Sequence, residues 1–439
     1  MDSTRRLEPG PEPTQAMVDP NRTQLAGPPK PPVSLTCLPG SRYGLATRRS
    51  AQHLLVQVAT SAAGAGRRRP LNLALAIDRS GSMEGDPIAY VKQACSHVVD
   101  LLTPEDLLSI ITFEDQVDVV MPARRVVNKE LIKQHIARIQ VGRTTNLYDG
   151  ILAACNQVAS VPGDEYLRRV LLLTDGEPTS GIKDFASIVG LAAEQKSRGV
   201  VVTALGFGPE YNEELLAGMA RRSGGNYYYI SRPELIPEVF ARELSTLLTV
   251  VASDVRLRLR LPRWASVRQV YGLQPAYGPR QVEVPLVDLE AGANLAVLAE
   301  LDLEPRPAGP YRVARAELTY RQTGSQDQAT VLTADAEMEF VSDEQMVAQG
   351  VDPVVAGHVQ VALASRELEK TVMGMRTQQL SPLTAALELQ KTQALLVGQG
   401  RTEEARQVAQ ALEELQRGST TGAEKTLIGT VYNLDRGKS

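Results

Sequence analysis

The stretch Leu71-Asn-Leu-Ala-Leu-Ala-Ile77, followed directly by Asp78-Arg-Ser-Gly-Ser82, decides the fold of this 439-residue chain. The first part is an almost continuous apolar run, which is typical of a strand buried on both faces of a sheet. The second part places one carboxylate and two hydroxyls on a single tight turn. All three are hard oxygen ligands that suit a divalent cation such as Mg²⁺. Short Ser, Gly and Asp runs are common in loops, so the interpretation depends on the segments that follow.

Between Leu71 and about residue 250, apolar strand runs alternate with amphipathic helical stretches. The predicted strands are Leu71–Ile77, Leu107–Phe113, Val117–Met121, Val170–Thr174, Val200–Gly206 and Asn226–Ile230. The predicted helical stretches lie near 86–102, 129–139, 147–160, 184–198, 212–222 and 234–249. Continuous apolar strands joined by helices indicate a mostly parallel sheet with helices on both faces. Val117–Met121 follows the preceding strand after a short turn, which requires an antiparallel edge strand. The fold class predicted for this region is therefore α/β, doubly wound and Rossmann-like.

The flanks of this region have a different pattern. Asp254–Leu261 alternates polar and apolar residues, and further short strands follow up to about residue 341, which predicts an antiparallel β-sandwich. Two or three short strands at 33–60 are expected to pair with strands after 253, because a few isolated strands rarely fold alone. The predicted organisation is a disordered tail over 1–32, N-terminal strands joining the sandwich over 33–66, the α/β domain over 70–250, the β-sandwich over 251–341, a helical segment over 342–417 and a C-terminal tail over 418–439.

The composition of the chain argues against several classes of protein. The formal net charge of −4 gives no global reason to expect nucleic-acid binding. Cys37, Cys95 and Cys155 are widely spaced and form no Cys-x-x-Cys pair, which argues against a disulfide framework or a zinc site. No apolar stretch is long enough for a membrane span, and the N-terminus lacks the apolar core of a signal peptide. We therefore predict a cytoplasmic location.

The candidate site follows from the sheet. Ligands of open α/β sheets bind outside the carboxyl ends of the strands, at the point where strand order reverses. Asp78 leaves the first strand at that end, and Asp175 leaves the fourth strand there. A strand order of 3-2-1-4-5-6 makes these two strands neighbours. The segment Gly142–Gly150 lies between them in sequence, and either Thr144 or Thr145 can project a hydroxyl into the same space. Mg²⁺ takes six oxygens, so this set leaves a position for an acidic side chain of another protein.

Enzymatic alternatives have less support. Ser80 and Ser82 do not lie in a Gly-x-Ser-x-Gly elbow, and the chain has neither a phosphate-binding Gly-x4-Gly-Lys-Ser/Thr loop nor a Gly-x-Gly-x-x-Gly motif. We predict that the protein is not an enzyme. The alternatives that stay open are a hydrolase-type or ATPase-associated enzyme subunit and a purely structural scaffold without metal.

The combined pattern resembles von Willebrand factor type A domains and their metal-ion-dependent adhesion site. The family pattern, Asp-x-Ser-x-Ser, then a Thr, then Asp-Gly, matches Asp78, Ser80, Ser82, Thr145 and Asp175. Thr145 is chosen over Thr144 because the family threonine lies just before the residue that opens the following helix. The resemblance implies that these residues bind Mg²⁺ (or Mn²⁺ or Ca²⁺). It also implies that the metal binds an acidic residue of a partner protein, with the chain acting as a scaffold or adaptor in an assembly.

The flanking segments resemble those of bacterial stand-alone members of this family, and their layout is similar to that of inter-alpha-trypsin inhibitor heavy chains. In that layout, strands before and after the type A domain build one sandwich.

Overall fold

The computed structural model describes residues 32–62, 68–163, 165–208, 211–322 and 329–437. The predicted disordered tail, apart from Pro32, lies outside the described residues. The strands are, in chain order, β1 (Val33–Pro39), β2 (Tyr43–Leu45), β3 (Ser50–Thr60), β4 (Leu71–Asp78), β5 (Leu107–Phe113), β6 (Val117–Arg125), β7 (Leu167–Thr174), β8 (Val200–Phe207), β9 (Tyr227–Ile230), β10 (Val250–Arg260), β11 (Ala265–Val270), β12 (Ala276–Gly278), β13 (Gln281–Pro285), β14 (Leu289–Glu290), β15 (Asn294–Leu303), β16 (Gly309–Gln322) and β17 (Ala329–Val341). The helices are α1 (Asp86–Leu101), α2 (Lys129–Ala137), α3 (Leu147–Ala159), α4 (Phe185–Ser197), α5 (Glu213–Ser223), α6 (Ile236–Leu248), α7 (Glu344–Gln349), α8 (Pro353–Arg376), α9 (Pro382–Gly398), α10 (Thr402–Gln416) and α11 (Thr420–Asp435).

The central sheet has the strand order β6-β5-β4-β7-β8-β9. All neighbouring pairs are parallel except β5 and β6, which are antiparallel. Every residue of β4 is buried. Its side chains alternate between two apolar cores, with Leu75 in the core shared with α1 and α6 and Ala76 in the core shared with α3, α4 and α5. The predicted doubly wound sheet with an antiparallel edge strand is therefore confirmed.

Two further sheets face each other in a sandwich that is discontinuous in sequence. One sheet has the order β1-β3-β15-β11, and the other runs β12-β13-β10-β16-β17-β2. β3 pairs antiparallel with β15, from Ala59 opposite Asn294 to Ser50 opposite Leu303. The expected pairing of the N-terminal strands with strands after 253 is present. The α/β domain is thus inserted between two parts of one sandwich.

The alternation predicted for β10 is confirmed by its burial pattern. Leu257 and Leu259 are fully buried in the sandwich core. The intervening arginines lie on the opposite face, where Arg258 and Arg260 contact Glu317 of the neighbouring strand β16. The arginine stripe is therefore largely neutralised by acidic residues of the same sheet.

The C-terminal tail predicted for 418–439 is wrong, because most of this segment forms helix α11. Ala423, Leu427, Val431 and Leu434 are buried together with residues of α8, α9 and α10. Their spacing of three or four residues gives the helix one apolar face. The prediction of a tail overlooked this pattern. None of the helices in the described part of the chain is both long and apolar enough to cross a bilayer.

Candidate metal centre

Asp78 is the last residue of β4, and its carboxylate is held from two sides. One oxygen, Oδ1, accepts a hydrogen bond from the backbone N–H of Ser80 at 2.9 Å. The other, Oδ2, accepts from the Thr174 hydroxyl at 2.5 Å. The residue is completely buried. The strand end and the turn that follows therefore fix the carboxylate in one orientation.

The two serines of the turn converge on Asp175, as the neighbouring positions of β4 and β7 require. The Ser82 hydroxyl donates to Asp175 Oδ1 at 2.9 Å, and the Ser80 hydroxyl lies 3.5 Å from the same oxygen. The two hydroxyl oxygens are 3.1 Å apart. Ser80 and Asp175 are buried, whereas Ser82 is exposed. The cluster is therefore open to solvent on the Ser82 side.

Thr145 lies on the Asp175 side of this cluster. It is buried and directly precedes Asn146, whose side chain caps the N-terminus of α3. A Cβ atom built on Gly176 would lie 3.6 Å from the Thr145 hydroxyl oxygen, so this hydroxyl points at the backbone that follows Asp175. The Thr144 hydroxyl is instead 3.4 Å from the Ser180 hydroxyl. The geometry favours Thr145 as the threonine of the site.

Backbone hydrogen bonds tie two of the loops of the site together. The Gly142 N–H donates to the Arg79 carbonyl at 2.6 Å, and the Gly81 N–H donates to the Arg143 carbonyl at 3.3 Å. The Arg79 guanidinium points away from the cluster of carboxylates and hydroxyls, toward Glu114 and Asp118. The loop that follows β4 is thus anchored to the loop that carries Thr145.

Sequence reasoning missed the supporting residues Thr174 and Thr179. Thr174 holds Asp78 through its hydroxyl, and the Thr179 hydroxyl accepts from the Thr145 N–H at 2.8 Å. The sequence could have indicated Thr174 through its position directly before Asp175. A residue at the end of a strand, next to a metal-binding loop, is well placed to orient a metal ligand.

The electrostatics of the cluster fit a divalent cation. Burial raises the pKa of Asp78 to about 6, and the nearby Asp175 acts in the same direction, against the hydrogen bonds from Thr174 and Ser80. The hydrogen bonds that reach Asp78 come from neutral groups, so its charge is not balanced by an ion pair. Carboxylate and hydroxyl oxygens are the ligands that Mg²⁺ prefers, and two carboxylates match its charge. The residues present therefore fit a hard divalent cation.

Other metal sites have no support in the part of the chain that the structure describes. These residues contain no group of three or more His, Cys, Asp or Glu side chains that could hold a metal ion. Cys37, Cys95 and Cys155 are buried free thiols. The hydroxyl-rich cluster with two carboxylates is thus the candidate metal centre.

Sequence comparisons identify the domain that carries the site. The sequence pattern of the von Willebrand factor type A domain family matches residues 72–242. An uncharacterised protein of Synechocystis sp. is 29% identical over 63% of this chain and 67% of its own length. The uncharacterised protein YfbK of Escherichia coli is 28% identical over 54% of this chain and 42% of its own length. Human inter-alpha-trypsin inhibitor heavy chain H4 is 30% identical over 36% of this chain, and the match spans only 18% of that protein.

Solved structures share the architecture beyond this domain. A von Willebrand factor type A protein from Catenulispora acidiphila superposes with a TM-score of 0.71 at 18% identity, covering 86% of this chain and 89% of that one. The ArnB paralog VWA2 from Sulfolobus acidocaldarius gives a TM-score of 0.61 at 18% identity, covering 92% of this chain and 98% of that one. At this identity the likeness concerns the fold alone. The family match shows that residues 72–242 of this chain form a von Willebrand factor type A domain.

Proposed function

We propose that this protein is a metal-dependent protein-interaction module. In this proposal, Asp78, Ser80, Ser82, Thr145 and Asp175 hold Mg²⁺, directly or through water. The observation that carries the proposal is the convergence of the Ser80 and Ser82 hydroxyls on Asp175 beside the buried Asp78. Because Ser82 is exposed, the site has an open side from which another molecule can reach the metal.

The proposed ligand is an Asp or Glu side chain of a partner protein. A carboxylate is a hard anionic donor and can complete an oxygen shell that the chain itself leaves incomplete. The chain then acts as a scaffold or adaptor in an assembly, and a cytoplasmic location stays a prediction.

A non-enzymatic role has support from the serine hydroxyls. Ser82 donates to a carboxylate of the same cluster, and Ser80 lies within reach of that oxygen. A nucleophilic serine is instead activated by a neighbouring base, most often a histidine. The chain's histidines lie elsewhere, in β3, α1, α2 and α8.

The first experiment measures Mn²⁺ binding by electron paramagnetic resonance, with Mn²⁺ as a paramagnetic substitute for Mg²⁺. Asp78→Ala should abolish binding while the circular dichroism spectrum stays native. Asp115→Ala removes an exposed carboxylate from a nearby loop and serves as the matched control, which should bind like the wild type.

The second experiment tests the partner. Proteins captured on the immobilised wild-type chain in Mg²⁺ should be released by EDTA and absent from the Asp78→Ala chain. Capture of the same proteins in EDTA and by Asp78→Ala would contradict metal-dependent binding. That result would favour the structural scaffold without metal, for which the hydrogen bonds already present within the cluster are the supporting observation.

A further inference from the structure

A polar cavity of about 270 Å³ lies where several parts of the chain meet. Its lining comes from α5, the turn after β11, β15, α8, the turn between α9 and α10, and the end of α11. The charged side chains are Arg221, Arg366, Arg401, Glu369 and Asp435. The cavity therefore joins the α/β domain, the sandwich and the helical segment, and such junctions between domains are common places for ligand sites.

An apolar groove of about 580 Å³ adjoins this cavity. Its apolar lining includes Phe185 of α4 and Met373 of α8, which are 49% and 58% exposed. The groove and the cavity share Arg221, Gln274 and Glu369 in their linings, so the two open side by side. The volume of the groove is within the range of about 300–1,000 Å³ that small-molecule pockets occupy.

The positive charges around the two spaces are not all neutralised. Arg221 contacts Asp435, and Arg376 contacts Glu213 and Glu424. By contrast, Arg366 donates to the Gln269 amide oxygen and stacks over the Tyr271 ring at 4.6 Å.

Arg366 in the cavity and Arg222 in the groove form no ion pair within the described part of the chain. The guanidinium of Arg401 is paired with Glu404 at 2.5 Å, although its Nε atom is buried without a hydrogen-bond acceptor. The nearby His358 has a pKa lowered by burial and by Arg401, so it is neutral at pH 7 and leaves the positive charge to the arginines.

Burial raises the pKa of Glu369 and of Asp435, and Arg366 lies close enough to both carboxyl groups to act on their pKa in the lowering direction. The two linings together still contain six Arg or Lys side chains and three acidic ones, so they offer donors to an anion.

We propose that the groove and the cavity together bind a fatty acid, with its alkyl chain in the groove and its carboxylate beside Arg366. An alkyl chain that covers the exposed Phe185 and Met373 surfaces is stabilised by the removal of apolar area from water. A guanidinium binds a carboxylate through two parallel hydrogen bonds, and the partners of Arg366 leave donors for this contact. This site is separate from the metal centre, and the proposal does not depend on the metal.

Calorimetric titration of the full chain with dodecanoate tests the site. The wild type should bind one equivalent saturably. Arg366→Gln should weaken binding at least about tenfold, because it removes a charge-assisted pair. Met373→Glu should weaken it similarly by placing a carboxylate in the groove. Since Met373 is largely exposed, that variant should keep its fold.

The controls separate the two halves of the site. Leu363→Glu is the control for Met373→Glu, because Leu363 is a residue of α8 that is 47% exposed and lies outside both linings. Arg417→Gln is the control for Arg366→Gln and changes an arginine side chain that is 75% exposed. Both control variants should bind dodecanoate as the wild type does. Hexanoate, with a shorter chain, and dodecanol, without the charge, should each bind at least about tenfold more weakly than dodecanoate. Unchanged dodecanoate binding by both Arg366→Gln and Met373→Glu, equal binding of dodecanol, or no saturable binding by the wild type would overturn the proposal. Mn²⁺ binding by all four variants should be normal, which keeps this result independent of the proposed function.

Discussion

The ammonium group of Lys425 in α11 lies 2.7 Å from a carboxylate oxygen of Glu213, the first residue of α5. It also donates to the Tyr211 carbonyl at 2.5 Å. The Lys425 side chain is only 2% exposed. The last helix of the chain therefore holds the beginning of a helix in the α/β domain through a buried charge.

Lys425→Met should destabilise the protein. Removing one partner of a fully buried pair costs about 3–5 kcal/mol, and the loss here should be about 2 kcal/mol because Arg376 still contacts Glu213. Urea unfolding followed by circular dichroism measures the change. Lys391→Met, at a site that is 72% exposed, should change the free energy of unfolding by less than about 0.5 kcal/mol. Equal effects of the two substitutions would show that the Lys425 contact does not stabilise the docked helix.

Thr145→Ala should weaken Mn²⁺ binding, whereas Thr144→Ala should not. The Thr145 hydroxyl points at the backbone next to Asp175, and the Thr144 hydroxyl points at Ser180. Loss of one ligand or orienting group of a metal site costs about 10–100-fold in affinity. Electron paramagnetic resonance titrations of the two variants form a matched pair. The opposite order of the affinities would assign the site to Thr144.

The ionised carboxylate of Asp106 should make the free energy of unfolding decrease at acidic pH. Burial raises the pKa of this fully buried residue, but the hydrogen bonds from Arg68, Leu71 and Thr103 outweigh burial and hold the pKa below its usual value. Because the pKa is lower in the folded state, the stability from the ionised carboxylate is fully present above the unfolded-state pKa. It is lost as pH falls through the folded-state pKa.

Asp106→Asn tests this linkage. The substitution should lower the free energy of unfolding at pH 7 by about 3 kcal/mol and flatten its decline below about pH 4. Unfolding curves from pH 2 to 7 measure both effects, with Asp115→Asn as the exposed control. A decline as steep as that of the wild type would mean that other carboxyl groups control acid unfolding.

Val58→Asp should prevent correct assembly of the sandwich. Val58 of β3 is fully buried in the sandwich core and lies opposite Leu295 of β15, so a carboxylate there is desolvated without a partner. Size-exclusion chromatography should show aggregated protein. Gln57→Glu changes the adjacent residue, which is partly exposed, and should elute as the wild type does. A soluble Val58→Asp chain with a cooperative thermal transition would contradict the role of β3 in the core.

The sequence predicted the central sheet and the place where its loops converge, because those features depend on local patterns. β4 is apolar along its length and ends at Asp78, and the neighbouring strand β7 ends just before Asp175. Parallel strands bring such ends to the same edge. The N-terminal strands could also be assigned to the sandwich, because they lacked partners close in sequence.

Other features depend on contacts that no local pattern encodes. The Thr174 hydroxyl could have faced either direction, and only the folded sheet shows that it orients Asp78. The docking of α11 depends on Lys425 meeting Glu213, which is 212 residues away in sequence. The cavity beside Arg366 likewise exists only where segments far apart in sequence meet.

The pairing of β3 with β15 has a consequence for protein synthesis. Thr60 and Ala293 form a hydrogen bond across 233 residues of chain. At a translation rate of about 10 residues per second, β3 leaves the ribosome roughly 20 seconds before its partner strand exists. The inserted α/β domain can complete its own sheet in that interval, while β1 and β3 have only each other. During translation, β3 therefore has one edge without its native partner, and an unpaired strand edge can template aggregation.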